Sequence, residues 1–177
     1  KLKISKDFFL NNVNNQSLIL KNFLKTKKIN LLSQKTIFKD FLITSKDRHV
    51  NKEHRKINSY INSNINYISR IFSLNLTQSV IMNGDRVVAL EDINGTNDLI
   101  IRIGKTKEKL NNLIFIKSKK TNQINEIDFP VIGANTIDLL IKYKFKAICL
   151  FEKQIIISNK NLFMKKIQKS NLSLIIL

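Results

Sequence analysis

The chain has 177 residues and a formal net charge of +18, from 31 Lys and Arg against 13 Asp and Glu. That length allows one domain, or one domain with part of another, and lets roughly two-thirds of the unfolded surface be buried. A single cysteine excludes a disulfide framework, and no apolar run reaches the ~18 residues of a transmembrane helix.

The charge points toward a polyanion or an anionic membrane. Arginine, whose fork reads phosphates and bases in pairs of hydrogen bonds, is nevertheless confined to Arg48, Arg55, Arg70, Arg86 and Arg102. Lys, Asn and Ile dominate, a bias that AT-rich coding alone produces, and the lysines are scattered, so no specific nucleic-acid partner is expected. Lys1 is not an initiator Met, so the chain reads as a fragment or a processed product. The apolar stretch within Lys1 to Leu10 is too short for a signal peptide.

In chain order, Phe9, Val13, Leu20, Phe23 and Leu24 recur at helical spacing, with Asp7 a candidate cap. Lys28 to Leu32 reads as a short strand, and Thr36 to Phe41 as a helical turn. Thr44 to Lys56 is polar, without apolar period, and reads as a linker or surface loop. It contains both histidines, His49 and His54, which read as solvent-exposed because no Cys or carboxylate pattern completes a zinc site with them. Ile57, Ile61, Ile65, Ile68, Ile71 and Phe72 form one apolar helix stripe. Gln78 to Met82 and Arg86 to Leu90 are the arms of a hairpin at Asn83-Gly84, the second arm reading as a buried strand.

Leu113 to Ile116 is a further strand, followed by Lys117, Lys119 and Lys120. Phe129-Pro130-Val131-Ile132-Gly133 leads into helical spacing through Thr136, Ile137, Leu140, Ile141 and Lys144. Ala147 to Phe151 and Gln154 to Ile157 read as a second hairpin, with Cys149 as a buried strand thiol. Asn159 to Lys169 reads as a helix and Leu172 to Leu177 as the last strand. The expected class is α/β, a mixed sheet with flanking helices.

The chemistry concentrates at Asn83 to Asp98. A strand ends in Glu91 and Asp92, a loop runs through Gly95 and Thr96 to Asp98, and Leu99 to Ile103 begins a helix with Thr96 or Asn97 as its cap. Acids, a Gly-Thr turn and a helix start at a strand end suit a metal and a phosphate. Plainer roles are open for each residue. Glu91 suits a strand-end salt bridge, Lys117 and Lys120 solvated charge, and Asp128 a turn before Pro130. Thr136 suits a helix cap, and Gln78 a place facing solvent.

Several segments share one pattern: Asn75-Leu76-Thr77-Gln78, the run Val87 to Asn97, Lys117 to Gln123, and Asp128-Phe129-Pro130-Val131-Ile132-Gly133-Ala134-Asn135-Thr136. Together they resemble the LpxI-type UDP-2,3-diacylglucosamine pyrophosphatases of lipid A synthesis, whose carboxy-terminal domain carries similar runs in the same order. The resemblance covers about 57–177 well and 1–43 loosely. It implies a partial second α/β domain first: residues 1–43 as the tail of an amino-terminal domain, 44–56 as a linker and 57–177 as the catalytic domain.

What the resemblance further implies is hydrolysis of UDP-2,3-diacylglucosamine to UMP and 2,3-diacylglucosamine 1-phosphate. The enzyme would be cytoplasmic, peripheral to the inner membrane, dependent on Mg²⁺ or Mn²⁺, with a homo-oligomer open. Glu91 and Asp98 would hold the metal, and Asp98, Asn97, Lys117 and Lys120 would serve catalysis. Gln78, Gly95, Thr96, Gln123, Asp128, Gly133 and Thr136 would contact substrate. Acids of the family pattern fall here on Asn75, Asn94 and Asn97, and amides neither act as general bases nor match carboxylates as ligands of a hard cation. Asp98 stands one residue late, and Glu126 stands where the family often has Arg. A second reading is therefore a drifted homologue that binds an anionic surface or RNA.

Overall fold

The computed structural model describes residues 13–51, 55–106 and 110–177. Asp7, Phe9 and His54 lie outside them. Helix α1 (Val13–Thr26) and the short α2 (Gln34–Ile37) precede a single layered core. Lys28 to Leu32 is not a strand: Lys28 takes φ 58°, and the Ile29 N–H returns to Leu24 O at 3.0 Å. Those are the bonds of a Schellman helix end, which turns the chain away instead of extending it.

The main sheet has five strands, β1 (Ser79–Asn83), β2 (Arg86–Leu90), β3 (Leu113–Lys117), β5 (Ala147–Leu150) and β7 (Ser173–Ile176), ordered β2-β1-β3-β5-β7. β1 runs antiparallel to both neighbours, while β3, β5 and β7 are parallel, so the expected mixed α/β sheet is present. The crossovers from β2 to β3, β3 to β5 and β5 to β7 all step in one direction along that order. Right-handed connections then place their helices on one face of the sheet. These are α4 (Gly95–Gly104), α5 (Ala134–Lys142) and α6 (Lys160–Gln168).

Side chains alternate across the strands accordingly. Ile81, Phe115, Ile148 and Leu174 meet Leu99, Ile137 and Phe163 of those three helices. Val80, Ile114, Ile116 and Cys149 face the other way, onto the stripe Ile57, Ile61, Ile68, Ile71 and Phe72 of α3 (Arg55–Ser73). Ile65 is only half-buried. The Cys149 thiol is fully buried, and burial pushes its pKa far up, which makes it inert at neutral pH.

Several expectations need correction. The hairpin turn is Gly84-Asp85, with Asn83 paired to Arg86 in the ladder and only Gly84 at positive φ, 64°. β2 is an edge strand, not a buried one. Val87 and Ala89 are partly buried while Val88 and Leu90 stay about 37–38% exposed, because among the described strands β2 has a neighbour on one side alone. Residues 147–157 form no hairpin, since β5 already has β3 and β7 on its two sides. Instead β6 (Ile156–Ile157) pairs in parallel with β4 (Val131–Ile132) as a two-stranded ribbon.

The polar stretch 44–51 is clipped to this core. Thr44 and Asp47 form a capping box, His49 bridges Leu174 on β7, and the Asn51 N–H donates to Ser173 Oγ at 2.9 Å. His49 is half-buried by that pairing, not free in solvent. Upstream, Ile43 exchanges backbone bonds with Ile155 and Lys153 and is completely buried.

Candidate functional site

In an open α/β sheet the loops that leave the carboxyl ends of parallel strands converge on one crevice. Here β2 and β3 both end at that edge, with the start of β1 between them. In the β1–β3 ladder Ser79 lies directly opposite Lys117. Both side chains fall on the α4 face of the sheet, in register with Ile81 and Phe115.

Lys117 is the centre of the arrangement. Its Nζ donates to Ser79 Oγ at 3.0 Å, to Thr96 Oγ1 at 2.9 Å and to Glu91 Oε2 at 3.4 Å. Thr96 in turn donates to Glu91 Oε1 at 3.0 Å. Lys117 is only 2% exposed, and burial drives its pKa below the ordinary lysine value, against the partial restoring pull of Glu91. A buried cation with one carboxylate and two hydroxyls is held rigidly, because each lost partner leaves a desolvated charge.

Glu91 is the first residue past β2, and Thr96 the second residue of α4. The helix starts earlier than its sequence suggests, with Asn94 at the cap position and Gly95 at φ 84°. What reads as loop up to Asp98 is the first helical turn. Asp92 makes the early start possible: its carboxylate accepts from the Asn94 N–H at 2.9 Å and from Arg102 Nη2 at 3.0 Å. The Asn94 N–H chiefly holds the Asp92 pKa below the usual carboxylate range.

A cleft of about 520 Å³ opens beside this network. Gln78, Glu91, Gly95, Lys120 and Asp128 line it, joined by Asn75. Gln123, though buried, shapes its wall, accepting from the Lys120 N–H and donating to Asp128 Oδ2, each at 2.9 Å. Thr136 is not the cap of α5, a place taken by Gly133. It is buried and donates to Asn97 Oδ1 at 3.1 Å, tying the first turn of α4 to α5. A Cβ on Gly133 would stand 2.7 Å from Ser158 Oγ, so this glycine serves close packing against the β4–β6 ribbon.

A family model for the LpxI C-terminal domain matches residues 46–175. The chain belongs to the LpxI family. Membership ties it to lipid A biosynthesis. A search of curated proteins found no match.

The amides of this LpxI chain occupy positions with structural work of their own. Asn75 sits at φ 59°, which Asn tolerates better than most side chains, and its Oδ1 accepts from the Asn122 N–H at 2.9 Å. Asp98 lies on Arg102 at 3.8 Å, half-exposed, while Glu91 is spent on Lys117 and Thr96. Arg102 thus stands between Asp92 and Asp98. Among the described residues no group of three His, Cys, Asp or Glu is arranged to hold an ion. With their partners as they are, Glu91 and Asp98 do not fit a shared Mg²⁺ or Mn²⁺ site.

Glu126 is paired with Lys21 of α1 at 3.0 Å, and that hydrogen bond chiefly lowers its pKa. Sequence reasoning missed Ser79 altogether. Its only signal is a hydroxyl opening the apolar strand Val80-Ile81-Met82.

Proposed function

We propose that this chain hydrolyses the pyrophosphate of UDP-2,3-diacylglucosamine, releasing UMP and 2,3-diacylglucosamine 1-phosphate. The observation that carries the reading is the network of Ser79, Thr96 and Glu91 around the buried Lys117, three of its four residues drawn from the segments that resemble the family, lying beside a polar cleft. A pyrophosphate in that cleft meets the opening turn of α4, whose N–H groups and dipole favour anions. Lys120 stands at the mouth, and Lys117 supplies a fixed positive charge beneath it. Such preorganised charge stabilises the oxygens of a phosphoryl group as its bond to the bridging oxygen breaks and water adds.

Glu91 holds Lys117 in place and favours its protonated form against the effect of burial. Gln123 and Asp128 form the wall that orients the nucleotide, and Asn97 with Thr136 fixes the α4 turn. Gln78 and Gly95 line the cleft and face the substrate there. Asp98 is the remaining acid on that turn, and it must leave Arg102 to serve the reaction. The reaction places the enzyme on the cytoplasmic side, peripheral to the inner membrane. Among the described residues no helix is long and apolar enough to cross one.

The test is release of UMP from UDP-2,3-diacylglucosamine, followed with Mg²⁺, with Mn²⁺ and with a chelator. Turnover in any arm that disappears in Lys117→Met supports the proposal. Absence of UMP in all three contradicts it.

A further inference from the structure

A second pocket, of about 410 Å³, lies beyond the carboxyl ends of β3 and β5, on the face of the sheet that carries α3. Four lysines line it from three separate segments: Lys35 of α2, Lys119 and Lys120 after β3, and Lys153 in the turn after β5. Among the described residues no Asp or Glu lines it. Lys35, Lys120 and Lys153 make no salt bridge and no side-chain hydrogen bond among those residues, while Lys119 donates to Asn125 Oδ1 at 2.6 Å. Burial, and after it the charge of Lys35, holds the Lys119 pKa below the ordinary lysine value, so these cations repel one another.

The acids nearby are engaged elsewhere. Glu126, whose charge reaches Lys119, is held by Lys21 at 3.0 Å. Glu152 accepts from the Ser45 N–H at 3.0 Å, and Lys153 has the smallest pull on its carboxylate. Lys153 itself stands at φ 55°, its N–H donating to Ile43 O at 2.9 Å. That left-handed conformation is unfavourable for a residue with a Cβ, and such strain collects at functional sites. The carboxyl end of α3, with Ser69 and Ser73 on the wall, favours a cation there. It accounts for one lysine but not for four.

Repelling ammonium groups round a closed volume call for an anion of more than one charge, and Lys meets phosphate as a point charge. The rings on the wall, Phe72 and Phe129, are only 4% and 5% exposed, which leaves little face on which a base could stack. The ends of parallel strands are also where open α/β sheets take their ligands.

We propose that this pocket binds a small molecule bearing a pyrophosphate or a pair of phosphate groups, separately from the occupant of the cleft. Lys120 lines both cavities, so an anion here draws on a cation that the cleft also uses. The inference does not rest on the hydrolysis proposed above, because its readout is binding.

The experiment is calorimetric titration of the full chain with inorganic pyrophosphate and with orthophosphate at constant ionic strength. Pyrophosphate is expected to bind saturably and at least ~10-fold tighter than orthophosphate, since it engages more than one ammonium. Lys35→Ala/Lys153→Asn should weaken it at least ~10-fold; Asn tolerates the left-handed backbone at 153. The control Lys165→Ala/Lys169→Ala lies in a lysine-lined trough at the amino edge of β5 and β7. It should change binding less than about twofold.

Circular dichroism checks that each variant is folded, which the exposed Lys35 and Lys153 allow. Undiminished pyrophosphate binding in Lys35→Ala/Lys153→Asn would place the anion in the cleft and overturn the proposal. Equal loss in the control would mean diffuse charge and overturn it too. So would equal affinity for orthophosphate, or no binding by the wild type.

Discussion

Two corners of this molecule use lysine in opposite ways. At the carboxyl edge of β2 and β3, one lysine is buried and every hydrogen of its ammonium has a partner. At the amino edge of β5 and β7, five lysines surround a trough and one has a carboxylate. Removing charge at the first corner strips a rigid network of its centre, whereas removing it at the second alters a solvated surface. A net charge of +18 cannot distinguish the two; the burial of each ammonium does.

The largest effect should come from Lys117→Met. It leaves Glu91 desolvated without its cation, a situation that costs about 3–5 kcal/mol, and turnover should fall at least ~100-fold with the loss of preorganised charge. Steady-state kinetics and urea unfolding check the two halves of that statement. Lys144→Ala, in the trough, should leave both within about twofold and 0.5 kcal/mol. If it matched Lys117→Met, the contrast between the corners would collapse.

Gly104→Ala comes next. A Cβ there would stand 2.2 Å from the Tyr143 ring, so the α4–α5 contact must shift. Overpacking of this kind costs about 1–3 kcal/mol, visible as a lower urea midpoint. Thr96→Val is isosteric but removes the hydroxyl that donates to Glu91 and accepts from Lys117. The loss should be about 1–3 kcal/mol for the partners left unsatisfied, with activity falling further than in Gly104→Ala.

The dependence of stability on pH sharpens the same point. The folded pKa of Lys117 lies below its ordinary value of 10.5. Between the two, the unfolded chain binds the extra proton, so stability rises with pH across that alkaline window. Thermal melts of the wild type and of the double variant Glu91→Gln/Lys117→Met should therefore diverge in slope there, the variant lacking the rise.

Asp98→Ala should have the smallest effect. Its contact with Arg102 is an exposed i,i+4 pair at 3.8 Å, worth at most about 0.5 kcal/mol. A fall in turnover of ~100-fold without loss of stability would show that Asp98 leaves Arg102 to serve the reaction.

Much of this fold is legible in the sequence because period and punctuation agree. The stripe from Ile57 to Phe72 and the strands at Leu113 and Ser173 follow from side-chain spacing, and the Asn-Gly pair marks the hairpin, one residue before its actual turn. The misreadings share one cause: spacing says which residues are apolar, not what covers them. Val87 to Leu90 is a continuous apolar run that happens to lie on an edge. Gln154 to Ile157 is apolar too, but its neighbour in sequence has no open side to offer.

At the site, Glu91, Thr96 and Lys117 are readable as candidates, and the structure joins them. Asp98 is equally readable and is joined instead to Arg102. Ser79 is invisible in sequence because its role exists only once β1 pairs with β3.

The most direct test of the central claim is UMP release by the wild type and by Lys117→Met, measured side by side on UDP-2,3-diacylglucosamine with Mg²⁺ and Mn²⁺ supplied. The account predicts turnover in the first and a loss of at least ~100-fold in the second. Equal turnover in both proteins, or none in the wild type, would contradict it.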